Sequence, residues 1–252
     1  MTRPDPVETA RALVLQRFPG ARAAWLGGSI ARGDATATSD LDVTVLLAGP
    51  PAPFRESLVS QGWPVELFVH DEGSLRHYCE KDQARRQPTI QRLVGESVVL
   101  LDTDGAGALL AGRLLAEAAA GPRPLTEPEL ASARYTISDQ LDDLVGALDD
   151  DERLAVAVAL HRSVGDLALT GRRRWTGTGK GQLRELRRLD ADEGTTLAGD
   201  LPAAVRAAAV GEVAPLVRLA DAVLEPHGGR LFDGHRVGGE PAPERLSTGD
   251  QR

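Results

Sequence analysis

Cysteine is all but missing from the 252 residues. Cys79 stands alone, so no disulfide can form within the chain, and a reducing cytoplasm is the expected compartment. A lone cysteine of this kind is read as a small, semi-buried side chain and not as a nucleophile. Aromatic residues amount to 4%, which leaves few platforms for stacking the bases of a single strand. Net positive charge is absent too: the formal charge is −8 and the pI near 5.2. Bulk electrostatic binding of nucleic acid is thereby disfavoured, and with it a templated polymerase. No apolar run approaches the length that crosses a bilayer, and Met1 to Phe18 is amphipathic and charged, without the apolar stretch of a signal peptide. Neither nucleic acid nor membrane is expected as a partner. Lysine is scarce as well, since among 29 basic residues only Lys81 and Lys180 are lysine. A chain that has drifted toward arginine keeps lysine where a compact ammonium fits better than a planar fork.

What remains is ordinary for a soluble globular chain, with 42% hydrophobic and 26% charged residues and length enough for one large or two modest domains. Helical spacing runs from Val7 to Phe18 and stops at Pro19-Gly20. Ala23 to Leu26, Leu41 to Leu47, Pro64 to His70 and Ser97 to Leu101 read as strands, with helical stretches near Leu75 to Lys81 and Thr89 to Val94. Gly121-Pro122-Arg123-Pro124 marks the best boundary, and Thr126 with Glu129 then forms a capping-box pattern. From there helices dominate: Glu127 to Leu148, Asp151 to Leu169, Gln182 to Leu189, Leu201 to Ala209 and Gly211 to Leu224. Beyond Gly228 the composition turns to glycine, proline and charge, so 234–252 is expected to be disordered.

The chemistry concentrates in one stretch. Gly27-Gly28-Ser29 follows the first strand, where glycine permits positive φ and close approach of backbone N–H groups to an anion. Ser29 adds a hydroxyl placed to cap a short helix, and Arg32 adds a fixed charge. Ten residues separate Ser29 from Asp40-Leu41-Asp42, which opens an apolar strand. In extended backbone, Asp40 and Asp42 project to one side and Leu41 to the other. Two hard oxygen ligands side by side suit Mg²⁺, which is commonly held by one or two carboxylates plus substrate phosphates.

The order Gly-Ser, a gap of ten, then Asp-x-Asp within an apolar strand resembles the nucleotidyltransferase superfamily typified by DNA polymerase β. The short Gly-Ser-x-Ala-Arg-Gly form and the helical remainder are most similar in style to the antibiotic, or aminoglycoside, nucleotidyltransferases. The specific part spans Ala23 to Asp71. What this resemblance implies is an α+β chain: a small mixed-sheet catalytic domain over 1–120 and an all-α helical domain over 125–228, with the site in the cleft between them. It implies Mg²⁺-dependent transfer of a nucleoside monophosphate, read as AMP, from a nucleoside triphosphate such as ATP to a small-molecule hydroxyl. An aminoglycoside is one acceptor it suggests, and pyrophosphate leaves.

Two Mg²⁺ ions are expected, and the family places a third carboxylate on a neighbouring strand, a description Glu66 fits either as ligand or as base. Asp71 is its rival, though a carboxylate at that point more often caps a helix. The resemblance gives Gly28, Ser29 and Arg32 a part in holding the nucleotide. To Lys180, in Gly177-Thr178-Gly179-Lys180-Gly181, it gives a reach toward the triphosphate from the helical domain. His70 shares the Glu66 face, Arg172-Arg173-Arg174 suits a helix end, and Asp139, Asp142 and Asp143 line one helix face. Two alternatives stay open: a protein adenylyltransferase of the toxin-neutralising type, and a nucleotide-binding regulatory module without turnover.

Overall fold

A computed structural model describes residues 3–238. Packing divides the chain into two units, Met1–Leu125 with Val164–Ala203, and Thr126–Ser163 with Ala204–Arg252. This differs from a division into 1–120 and 125–228, because the stretch from Val164 to Ala203 packs with the N-terminal sheet.

The sheet of the first unit has five strands: β1 (Ala23–Leu26), β2 (Leu41–Leu46), β3 (Phe54–Ser60), β4 (Trp63–His70) and β5 (Val98–Asp102). Their order is β3-β4-β2-β1-β5, with β2 and β4 parallel and the other neighbours antiparallel. On one face, α1 (Pro6–Arg17) contributes Ala10, Leu13 and Val14 to a core with Leu26, Leu41, Val43, Val45, Leu67 and Val69. On the other, α3 (Glu72–Arg85), α4 (Thr89–Gly95) and α5 (Ala106–Ala120) bring Leu75, Cys79, Ile90, Val94 and Leu114 against Trp25 and Leu46. Coverage on both faces is why β2 reads as a near-continuous apolar run. Cys79 lies in this second core, where burial pushes its thiol up to about 12, and the small buried role read for it fits that environment.

Two elements carried no signal that sequence reading recognised. Strand β3 is an edge strand with exposed Arg55, Ser57 and Val59 alternating with half-buried residues. Its pairing with β4 is closed by Gln61 and Gly62, both at positive φ, the two-residue hairpin connection that matches strand twist. Helix α5 starts where the Asp102 carboxylate accepts N–H bonds from Gly105, Gly107 and Ala108 at 2.9, 3.1 and 2.9 Å.

Helix α6 (Glu127–Gly146) opens the second unit with the expected capping box of Thr126 and Glu129. It is followed by α7 (Asp150–Thr170), α8 (Lys180–Glu193), α9 (Leu197–Ala208) and α10 (Ala214–Leu224), of which α7 and α9 each begin in one unit and end in the other. Within the second unit, Arg134 donates to the carbonyls of Gly228 and Gly229 at 2.7 and 2.9 Å, and the His235 ring stacks on Tyr135 at 4.3 Å. Of the tail expected to be disordered, 234–238 thus includes a residue packed on α6, and 239–252 lies outside the described residues. No helix among the described residues is long and apolar enough to cross a membrane.

Candidate active site

Strand β1 delivers the chain into the glycine turn, and the Gly27 N–H donates to the Asp42 carbonyl at 2.8 Å, tying the turn to β2. Gly28 has φ +69°, and a Cβ built there would lie 1.9 Å from Asp42 Oδ2. Glycine is therefore required twice, for its backbone conformation and for the space the carboxylate occupies. Helix α2 (Gly28–Arg32) begins at Gly27 as its cap, with no side-chain capping bond. Ser29 is thus not the cap that sequence reading expected. It sits inside the helix, and its hydroxyl donates instead to Ser39 Oγ at 2.9 Å, closing the loop between α2 and β2.

Parallel pairing sets Asp42 of β2 directly opposite Glu66 of β4. With Asp40 just ahead of β2, each of the three residues offers a carboxylate oxygen within 4.8 Å of the others. Burial pushes the Asp42 carboxyl up to about 6, the charges of Asp40 and Glu66 add to that, and Arg32 and Lys180 oppose it. Three carboxylates held this close repel one another unless a cation sits among them, and hard oxygens are the donors that divalent cations take. The residues therefore fit a metal ion. Glu66 is not at an edge, because β4 lies between β3 and β2. Its Oε2 does have a partner, Arg55 Nη2 at 2.5 Å, whose guanidinium lies over the Phe68 ring.

A cavity of about 380 Å³ opens beside the triad, lined by Gly28, Ser29, Arg32, Asp40, Asp42 and Lys180 among others. All its walls belong to the first unit, since Lys180 opens α8 and α8 packs with the sheet. Sequence reading placed this lysine in a helical domain, but residues 164–203 share the sheet's packing unit. Several lining residues escaped it altogether: Gln87 and Thr89 at the start of α4, Thr176 and Thr178, and Arg184 and Glu185 on α8. Only Arg184 had a legible signal, lying four residues after Lys180 and so on the same helix face. Glu185 is buried and forms a two-pronged ion pair with Arg92 of α4, which joins α8 to the sheet-covering helices.

Glu66 adjoins Asp40 and Asp42 without lining the cavity, and the remaining candidates also fall outside the lining. Asp71 caps α3 through the Ser74 N–H at 2.7 Å, and that bond draws its carboxyl below the usual range. His70 is buried against Tyr78, its pKa lowered by burial, and its Nε2 has no hydrogen-bond partner among the described residues. Arg172 and Arg174 follow the end of α7 and pair with Glu193 and Asp192 at 3.2 and 2.7 Å.

A family model described as a nucleotidyltransferase domain matches residues 7–88, the stretch that holds the glycine turn and all three carboxylates. Among solved structures, the chain is similar to a nucleotidyltransferase-like protein from Exiguobacterium sibiricum 255-15, at 11% identity and a TM-score of 0.41 over 88% of this chain and 80% of that one. It is also similar to a chain of a toxin-antitoxin with AMP-PNP, at 18% identity and a TM-score of 0.28 over 44% of this chain and 85% of that one. A search of curated proteins found no significant match to the sequence. With its strand-turn-strand frame, its opposed Asp42 and Glu66 and the family match over residues 7–88, the chain carries a nucleotidyltransferase domain of the DNA polymerase β-type superfamily.

Proposed function

We propose that this nucleotidyltransferase transfers a nucleoside monophosphate, AMP, from ATP to a hydroxyl of a small-molecule acceptor, with Mg²⁺ as its metal. The observation that carries this reading is the half-buried Asp42, set between the charges of Asp40 and Glu66 and facing a cavity that also holds Arg32 and Lys180. Asp40 and Asp42 would hold the metal, two ions on this reading, with Glu66 as a third ligand unless it serves as the base, and the ions would steady the attacking and leaving oxygens when bound. In the transfer, an acceptor hydroxyl oxygen bonds to the α-phosphorus, the bond to the β-phosphate oxygen breaks, and pyrophosphate leaves. The hydroxyl proton passes to a base, and Glu66 is the candidate, with Arg55 holding its carboxylate in place beforehand. Arg32 and Lys180 supply positive charge to the phosphates, while Gly28 and Ser29 form the turn on which they rest.

An aminoglycoside is the acceptor we favour, in a cytoplasmic setting. The similarity of the Gly28-Ser29-Ile30-Ala31-Arg32-Gly33 stretch to the antibiotic nucleotidyltransferases supports it. A protein acceptor of the toxin-neutralising type is the second reading. The helical residues beyond 125 count against it, since the minimal enzymes of that type consist of a catalytic domain alone. The test is incubation of the full chain with each α-labelled NTP and Mg²⁺ against aminoglycosides, metabolites and cell lysate. Label retained on an aminoglycoside supports the reading, and label only on protein overturns it.

Glu66→Gln separates base from ligand. If Glu66 is the base, nucleotide and Mg²⁺ still bind while the rate falls by about 10²–10⁴. A parallel loss of Mg²⁺ affinity in calorimetry assigns it as a ligand instead, and near-normal activity removes it from the site.

Lys180→Ala is expected to raise KM for the triphosphate and lower kcat, with kcat/KM down by roughly 10–100-fold, the scale of one charge-assisted contact. Lys180→Arg restores only part of this, because a guanidinium fork does not replace a compact ammonium in a crowded phosphate site. Steady-state kinetics that match wild type in the alanine variant would return Lys180 to an ordinary solvated residue.

A further inference from the structure

One carboxylate holds two of the cavity's cations. Asp34, just beyond the glycine that ends α2, places Oδ2 at 2.9 Å from Arg184 Nη2 and Oδ1 at 3.3 Å from Arg32 Nη2. Arg32 belongs to α2 and Arg184 to α8, and both line the cavity together with Lys180. Lys180 and Arg184 are spaced by four residues on one helix and so present their charges along the same face. The bridging side chains are all partly exposed, between 28% and 43%, so each of these ion pairs is weak and open to competition. A carboxylate and a phosphate offer the same chemistry to a guanidinium, namely anionic oxygens that accept two parallel N–H bonds. A chain of phosphates offers more of them.

We propose that Arg184 is a further triphosphate-binding residue and that Asp34 occupies its guanidinium and that of Arg32 until the phosphates displace it. This deepens the nucleotide reading of the same cavity and rests on it. Arg32, Lys180 and Arg184 then form a three-cation clamp for the end of the triphosphate that departs as pyrophosphate. Such a clamp favours three phosphates over two. Removing Asp34 tightens binding by freeing the clamp, the opposite of what loss of a purely structural ion pair would do.

The test is equilibrium binding of ATP, ADP and inorganic tripolyphosphate to the full chain by calorimetry in the presence of Mg²⁺, with thermal melts to confirm folding. Asp34→Asn should bind ATP and tripolyphosphate about 2–5-fold more tightly, the scale of an exposed ion pair released. Arg184→Ala should weaken ATP about tenfold and ADP by much less, so that the ratio of the two affinities falls. Asp34→Asn placed on Arg184→Ala should lose the part of its effect that runs through Arg184 and keep only the smaller part that frees Arg32, whose contact with Asp34 is the longer of the two. A general change in net charge would instead be additive. Weaker or unchanged binding in Asp34→Asn, an unchanged ATP to ADP ratio in Arg184→Ala, or additivity in the double variant overturns the proposal. Wild-type protein that binds neither ATP nor tripolyphosphate overturns it together with the nucleotide reading, whereas normal wild-type binding with unaltered variants overturns it alone.

Discussion

Asp42→Asn should abolish nucleotidyl transfer and leave the metal-free protein as stable as wild type or more so. The two effects share one cause. Asparagine keeps the shape of the side chain but not the charge, so a cation held by the triad would lose a ligand while the repulsion from Asp40 and Glu66 would disappear. Burial pushes the Asp42 carboxyl up to about 6 in the folded chain, from an ordinary 3.8, because the half-buried site disfavours the charge. Above pH 6 the ionised group therefore costs stability, on the order of 2–3 kcal/mol at most, and below its unfolded value near 4 the cost vanishes. Metal-free wild type should accordingly gain stability as pH falls from 7 toward 5, and Asp42→Asn should lack that part of the gain. Melting curves in chelator across this range check it, and Mg²⁺ should raise the wild-type midpoint while leaving the variant's unmoved. Full transfer activity in Asp42→Asn would remove the carboxylate triad from the chemistry.

Gly28→Ala should disable the same carboxylate without touching it chemically. An alanine at φ +69° is strained by about 1–2 kcal/mol, and its Cβ would stand 1.9 Å from Asp42 Oδ2, so the carboxylate has to move. A displacement of roughly 1 Å at a reacting centre costs about 10²-fold in rate. The expected outcome is a fall in kcat of that order or more, a midpoint lower by several degrees, and weaker binding of the metal. Gly20→Ala serves as the reference, since nothing lies within 4 Å of a Cβ at that position. Equal activity in the two alanine variants would mean that the turn yields more readily than its geometry requires.

The contrast between two Asp-x-Asp pairs shows where local sequence loses its hold. Asp40-Leu41-Asp42 and Asp102-Thr103-Asp104 each sit at one end of an apolar strand. In the second pair, Asp102 accepts backbone N–H bonds at the start of α5 and Asp104 pairs with Arg22 at 2.7 Å, and both carboxyls are drawn below their ordinary range. These are solvated structural anions. The first pair has a buried neighbour strand bearing Glu66 and a glycine turn against it, and the Asp42 carboxyl is driven the other way. Two local marks tell them apart: the spacing to Gly28 and Ser29, and the place of the first pair at the start of its apolar run where the second stands at the end.

Determined by the sequence alone were the features set by adjacent residues: the apolar run of β2 with Asp40 and Asp42 on one side, the glycine turn, the capping box at Thr126, and the helical periods beyond it. Each depends on backbone geometry within a few residues, so its signal survives in one dimension. Tertiary structure alone decided what depends on distant partners. Parallel pairing brought Glu66 opposite Asp42, and β3 found its place through a partner strand and not through its own half-exposed residues. Packing carried Val164 to Ala203 back onto the sheet, and with it Lys180 and Arg184 to the cavity of Asp42, where Arg184 meets an aspartate 150 positions earlier in the chain. Burial and charge at the site arise from those long-range contacts, and no local pattern of residues encodes them.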